Sequence, residues 1–268
     1  MYGSAIFKWS ADRVAALTDA YPGVVLGGTG TDGPLGKTVE DLIGEDRYEH
    51  YEYSIYPEYK WSIGFTQRGC RLKCPFCVVP GKEGSVQEVN SIWDIWREGT
   101  PRYIHLLDND FFGQEHWRER IEEIRAGKFR VCFNQGINVR LINEEVAEAL
   151  VSIGSYDDQF KQKRVYTAWD NLKQENIVFK GLDYLKAAGV RPKTVMVYML
   201  VGYAEGETME DVLYRYNKLV DYGCMPFPMV YDRSNMELRR FARWVIKRFC
   251  KVVTWEEYRR EALRHNRI

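Results

Sequence analysis

The chain has 268 residues, 45% of them hydrophobic and 28% charged, with 38 Lys and Arg against 38 Asp and Glu. That length suffices for one full domain with a large core, the balanced charge excludes a global basic field for nucleic acid, and no apolar run approaches a bilayer span. With nothing at the start that reads as a secretory signal, the expectation is a soluble, cytoplasmic protein with no membrane partner.

Residues 1–59 read as a mixed leader, with ten acidic and five basic side chains in residues 1–60. Val14–Leu17 suggests a short helix and Val24-Val25-Leu26 a buried strand. Gly28, Gly30 and Gly33 then match G-x-G-x-x-G, but Pro34 and Gly36 interrupt any immediate helix, so the dinucleotide reading lacks its context. Gly36-Lys37-Thr38 imitates the end of a P-loop, yet Thr31 stands where the first glycine of that loop belongs. The stretch is expected to be a flexible loop.

Trp61–Phe65 reads as a strand, and the loop after it carries three of the six cysteines as Cys70-x3-Cys74-x2-Cys77. Thiolates tethered this closely can converge on one metal centre. Three ligands fit a [4Fe–4S] cluster with one iron left without a protein ligand. A structural zinc site needs a fourth ligand, normally from a second Cys/His pair. Cys132, Cys224 and Cys250 are scattered singly, and His50, His105, His116 and His265 form no ligand-spaced pair. A zinc site and unliganded thiols remain as the competing readings. A disulfide framework is not expected in a reducing compartment.

Cys-x3-Cys-x2-Cys with Phe76 before its last cysteine, after an apolar strand, resembles the cluster loop of the radical S-adenosylmethionine (SAM) superfamily. Gly64-Phe65-Thr66-Gln67-Arg68-Gly69-Cys70 and Cys74-Pro75-Phe76-Cys77 are most similar to the branch of cobalamin-associated enzymes and methylthiotransferases. The resemblance covers roughly residues 60–232. It implies that Cys70, Cys74 and Cys77 hold a [4Fe–4S] cluster whose open iron chelates the SAM amino and carboxylate groups. One electron, from a donor such as flavodoxin or ferredoxin, would then cleave SAM to a 5′-deoxyadenosyl radical that abstracts hydrogen from a substrate. The Gly28–Gly33 stretch also resembles the end of the cobalamin-binding domain of related enzymes, but about 60 residues cannot complete a doubly wound fold. Cobalamin binding is therefore not expected, and no second cysteine set suggests an auxiliary cluster.

From residue 60 apolar runs alternate with amphipathic stretches, the βα pattern of a parallel sheet. Helical spacing over Val86–Arg97 follows the cysteine loop. Strands are expected at Tyr103–Leu107, Arg130–Asn134, Arg164–Ala168, Thr194–Val201 and Phe227–Tyr231. Between them fall helices at Gln114–Ala126, Asn143–Ser152 with Asn143 as N-cap, Gln174–Ala188, and Thr208–Tyr222 closed by Gly223. Six such units match the partial (β/α)6 TIM-like barrel of the radical SAM family. The expected organisation is a leader over 1–59, an α/β core over 60–232 and C-terminal basic amphipathic helices over 233–268.

Active-site groups in parallel βα barrels come from the C-terminal ends of the strands. By resemblance, Asp108 and Asn109 stand where the family holds the SAM amino group, although its usual Gly-Gly-Glu wording is absent. A helix-capping turn is the ordinary alternative for such polar residues. Gln135 is placed to face the substrate or the methionyl end, Arg140 to pair with the SAM carboxylate, and Asp170 to accept from the ribose hydroxyls. Gly202 would allow close backbone approach near the adenine, Phe76 would pack on that adenine, and Tyr231 would stand where backbone contacts to it begin. Residues 233–268 carry eleven Lys and Arg against four Glu. Arg239, Arg240, Arg243, Lys247, Arg248 and Lys251 surround Phe241, Trp244, Val245 and Phe249 at helical spacing. This reads as a solvated helix covering the barrel, or as a contact to a nucleic-acid backbone. The expected function is radical SAM chemistry on an unknown substrate, a nucleotide or nucleic-acid base being favoured. The alternatives are a small metabolite or peptide substrate, or a non-catalytic iron–sulfur or zinc module.

Overall fold

The computed structural model describes residues 2–5, 7–33, 35–44, 49 and 51–265; Pro34 and His50 lie outside them, as does the side chain of His265. The fold is mixed α/β with parallel sheets. Its centre is six strands, β1 (Ser62–Gly64), β2 (Tyr103–Leu106), β3 (Arg130–Phe133), β4 (Val165–Ala168), β5 (Val195–Val201) and β6 (Met225–Val230). They form two three-stranded parallel sheets, ordered β1-β2-β3 and β4-β5-β6. Ile63 pairs with His105 and His105 with Cys132 in the first; Ala168 pairs with Tyr198 and Tyr198 with Phe227 in the second. The sheets meet beyond β3, where the Ile137 N–H donates to Tyr166 O at 2.7 Å and the Thr167 hydroxyl to Ile137 O at 2.6 Å. No closed barrel forms among the described residues.

Parallel neighbours need crossovers, and these are helices α1 (Trp117–Ala126), α2 (Glu144–Ile153), α3 (Glu175–Ala187) and α4 (Met209–Tyr222), with α5 (Met236–Ile246) and α6 (Trp255–His265) following β6. Local chemistry sets their ends. Asn143 Oδ1 accepts from the Val146 N–H at 2.9 Å, Thr208 and Asp211 form a reciprocal capping box, and Gly223 closes α4 in the left-handed region at φ 92°. Alternation along β5 divides the two faces. Val195, Val197, Met199 and Val201 are buried in the main core with Leu182, Leu185 and Leu219 of the helices, while Met196, Tyr198 and Leu200 on the other face are only half-buried. Each fully buried side chain of this size contributes about 1.5–3 kcal/mol.

Three elements depart from the sequence reading. Over Val86–Arg97, Gln87–Glu88 pairs antiparallel with Gln67–Arg68, and only Ile92–Ile95 is helical. A capping box between Ser91 and Asp94 starts that single turn, and Trp96 is already extended. Helix α5 stops at Ile246, short of Phe249, the last apolar residue read at helical spacing, because Arg248 turns left-handed at φ 61°. The glycine-rich stretch holds a helical turn, Thr29–Asp32, after a strand Val25–Gly27 that runs parallel to Tyr2–Ser4 across helix Ala11–Ala20. Its first two glycines answer to packing. A Cβ on Gly28 would lie 2.4 Å from Ala5 O, and one on Gly30 would lie 2.8 Å from Phe7 N.

The outer edges of the six strands are blocked in different ways. The N–H and C=O of Ile63 face away from β2, and the Tyr53 hydroxyl satisfies both, accepting at 2.9 Å and donating at 3.3 Å. On β6 the Tyr231 N–H donates to Val201 O at 3.0 Å, so residues of that parity face β5 and positions 226, 228 and 230 face outward. Two of those three are Pro226 and Pro228, which have no N–H to offer another strand. No helix among the described residues is long and apolar enough to cross a membrane.

Candidate metal centre

The cysteine loop leaves the C-terminal end of β1 through a rigid neck. Asp108, directly after β2, is buried, and its Oδ1 accepts from the Thr66 N–H at 3.0 Å, the Thr66 hydroxyl at 2.5 Å and the Gln67 N–H at 2.7 Å. Its Oδ2 is buried without a partner, and burial pushes the carboxyl up to about 6 against those hydrogen bonds. Gln114 adds a donor to Thr66 Oγ1 at 2.8 Å. Two residues beyond Gln67, Gly69 takes φ 74°, where a Cβ would meet Ser85 O at 2.2 Å, so the chain crosses itself there. Glu83 closes the crossing: one oxygen accepts from the Gly69 N–H at 3.0 Å and from Asn109 Nδ2 at 3.1 Å. Arg68 lies 3.6 Å from the other Glu83 oxygen and 2.8 Å from Glu49.

Beyond this neck, Cys70 and Cys74 are half-buried and Cys77 is exposed. The Leu72 N–H points at Cys70 Sγ at 3.4 Å, and Arg140 Nη2 reaches Cys74 Sγ at 3.9 Å. Burial pushes the Cys70 thiol up, with the charges of Asp110, Cys77 and Cys74 adding to the shift. Asp110 has a buried carboxylate that accepts from Arg71 Nε at 2.9 Å, and burial raises its pKa against the opposing Arg71 and Arg140 charges. Among the described residues no three His, Cys, Asp or Glu side chains close up as a ligand set, so the three thiols share a loop without converging in it. In kind, they fit an iron–sulfur cluster: the donors are all thiols, and the Arg140 guanidinium stands 3.9 Å from one sulfur. The other cysteines stand apart. Cys132 and Cys224 are buried, and burial pushes each thiol up to about 12.

The strand ends bring several of the singled-out residues around this loop. Arg140 also donates to Asn138 Oδ1 at 3.0 Å, which aims it back toward Cys74. The Phe76 ring packs edge-on against Tyr203, centroids 5.3 Å apart, and Tyr203 against Tyr231 at 4.9 Å, so an aromatic file joins the loop to the ends of β5 and β6. Gln135 is exposed at the end of β3. Asp170 has one oxygen occupied by the Leu200 N–H at 3.0 Å, and burial raises its pKa. Gly202 takes φ 79° and donates to Glu207 Oε2 at 2.6 Å. Asp108 and Asn109 are both occupied inside the neck, Asp108 with no exposed face toward a ligand.

Glu83, Glu207 and Arg215 escaped the sequence reading. Arg215 is fully buried, and its guanidinium donates to Trp169 O and Leu200 O, each at 2.9 Å, and to Glu207 Oε1 at 2.5 Å. It thereby ties the ends of β4 and β5 together. A signal for it existed, because Val212, Arg215, Tyr216 and Leu219 form one helical stripe, and a charge there must be buried with its partners. Glu83 and Glu207 lie in loops of no periodicity and left no such mark. Compared with known protein families and with curated proteins, the chain matches none.

Proposed function

We propose that the chain is an enzyme of the radical SAM type, built on a partial (β/α)6 barrel, with Cys70, Cys74 and Cys77 holding a [4Fe–4S] cluster. The observation that carries the reading is a three-thiol loop at the C-terminal end of the first parallel strand, with a guanidinium 3.9 Å from its middle sulfur. In parallel βα architectures that end of the strands is where ligands sit. A bound cluster would supply an iron without a protein ligand to chelate SAM, and the electron that cleaves it.

This chain's own residues would bind and orient. Arg140, held by Asn138, brings a positive charge to 3.9 Å from Cys74 Sγ and would pair with a carboxylate. Gln135 offers an exposed amide at the end of β3. Asp170 keeps one oxygen outside its bond to Leu200 for a hydroxyl. Phe76, Tyr203 and Tyr231 would present ring faces and edges to a purine. Asp108 takes the structural part of holding the neck, and Asn109 that of holding Glu83. The substrate class favoured is a nucleotide or nucleic-acid base, and the electron donor a flavodoxin or ferredoxin.

The test is anaerobic reconstitution with iron and sulfide, then dithionite and SAM, reading bound iron and 5′-deoxyadenosine. Wild type is expected to turn brown and release the nucleoside, and Cys74→Ala to do neither. A colourless wild-type protein that retains zinc overturns the reading in favour of a zinc module. A brown protein that forms no 5′-deoxyadenosine, with or without added nucleosides and oligonucleotides, marks a non-catalytic cluster module.

A further inference from the structure

The chain carries equal numbers of acidic and basic side chains. Some cations are held by carboxylates, Arg68 by Glu49, Arg118 by Glu145, Arg120 by Glu123 and Lys218 by Glu175. On and beside α5 a run of cations is not. Arg233, Arg239, Arg243 and Lys247 are all exposed, and none has an acidic partner among the described residues; the Arg239 guanidinium points at Met236 Sδ at 3.3 Å. The two acids nearby are engaged, Asp232 by Ser234 and Glu237 by Arg259. Arg239, Arg243 and Lys247 recur every four residues, so the cations step along one helix face by about 6 Å. A row at that pitch suits a repeating anion better than a single one.

Beside the row lies a cavity of about 610 Å³ between α5 and the free edge of β6. Phe227, Met229, Ala242 and Ile246 give it apolar walls, with Arg233 and Arg239 at the same cavity. The edge backbone there cannot recruit a strand, because Pro226 and Pro228 lack the N–H groups that β-augmentation needs. An apolar slot for a flat group beside a line of unpaired guanidinium and ammonium groups is the combination that single-stranded nucleic acid uses, with bases against apolar and aromatic surface and phosphates on cations. A duplex keeps its bases stacked inside and has nothing to put in the slot.

We infer that the groove between β6 and α5 is a docking site for single-stranded nucleic acid, with phosphates on Arg239, Arg243 and Lys247 and an unstacked base against Phe227 and Met229. Val230 lines the cavity, and the next residue, Tyr231, contacts Tyr203 and, through it, Phe76 of the cysteine loop. This deepens the proposed substrate class and gives a strand a route to the loop. Binding itself needs no iron and no SAM, so its failure leaves the reading of the three cysteines standing, and failed reconstitution leaves the groove standing.

The experiment is fluorescence anisotropy of the full chain with a labelled single-stranded RNA of about 16 nucleotides, over about 50–200 mM salt. The same sequence as a duplex and phosphatidylserine vesicles serve as competitors. The wild type is expected to bind the single strand, and Arg239→Glu/Arg243→Glu to weaken it about tenfold or more. The log–log salt slope should become shallower by about 1.4, the share of two phosphate contacts on a single strand. Arg191→Glu, an exposed cation ahead of β5, should bind as wild type does, and Met229→Ala should weaken binding without moving the slope. If the double variant loses its thermal transition, Arg239→Gln/Arg243→Gln is read in its place. No binding at low salt, equal loss with Arg191→Glu, preference for the duplex, or capture by the vesicles alone each overturns the inference.

Discussion

The two halves of the parallel structure are tied at their strand ends by different chemistry. In the half that carries the thiols, β1 and β2 are joined by one carboxylate, Asp108, whose oxygen gathers three donors and has no cationic partner among its contacts. In the other half, β4 and β5 are joined by a buried ion pair, with Arg215 reaching both strand-end carbonyls and Glu207. A guanidinium stays charged at every pH at which the protein folds, while a lone buried carboxyl titrates. One half is locked and the other is adjustable, and the adjustable half holds the three-cysteine loop. The largest effect should come from breaking the lock. Arg215→Ala leaves Glu207 and two strand-end carbonyls buried without their donor and is expected to cost about 3–5 kcal/mol, read as a fall in the urea midpoint. A loss under about 1 kcal/mol would mean that water replaces the guanidinium and that the halves do not differ in this way.

The carboxyl clamp gives a prediction with a sign. Its folded pKa is about 6, above its ordinary 3.8. The folded state therefore holds the proton more tightly than the unfolded state between those values. Stability from this group is fully present below about pH 4 and is lost as pH rises through about 6. A shift of this size corresponds to about 3 kcal/mol. Asp108→Asn keeps an acceptor for Thr66 and Gln67 and removes the titration. Subtracting its unfolding free energy from that of wild type at each pH should give a curve that falls by about that amount from pH 4 to pH 7. A flat difference would show that Asp108 stays ionised throughout and that the first half is as fixed as the second.

Repeating patterns in the sequence announced the elements, and single long-range contacts were silent. The strand and helix runs from β2 to β6 follow directly from apolar spacing and from caps such as Asn143, Thr208 and Gly223, because both act within a few residues. Val86–Arg97 misled for the same reason: Val89, Ile92, Trp93 and Trp96 keep helical spacing, but residues 87–88 pair instead with a neck some 20 positions earlier. The cysteine spacing put three thiols on the loop after β1, although they do not converge there. Asp108 and Asn109 looked like ligands because they sit at a strand end. Their real partners are Thr66, 42 residues away, and Glu83, 26 away, and no local rule announces them.

The smallest effect should appear at the outer edges, where the halves differ again. The edge of β6 is blocked by covalent structure, since Pro226 and Pro228 have no N–H under any condition. The edge of β1 is blocked by a removable group, the Tyr53 hydroxyl, which serves both the N–H and the C=O of Ile63. In Tyr53→Phe the ring can keep its stacking on Tyr59 and the Arg97 guanidinium over its face, so the change isolates the two hydrogen bonds. Tyr53 is half-buried, which lets water recover part of the loss, and a cost of about 1 kcal/mol is expected. For a chain of this size that is a fall in Tm of about 2–4 °C. Amide exchange gives the finer reading. The Ile63 N–H should lose protection in the variant while the Tyr231 N–H, bonded inward to Val201, keeps it. Equal loss at both would mean that the edges open as one unit, and that the difference between the two halves is confined to their strand ends.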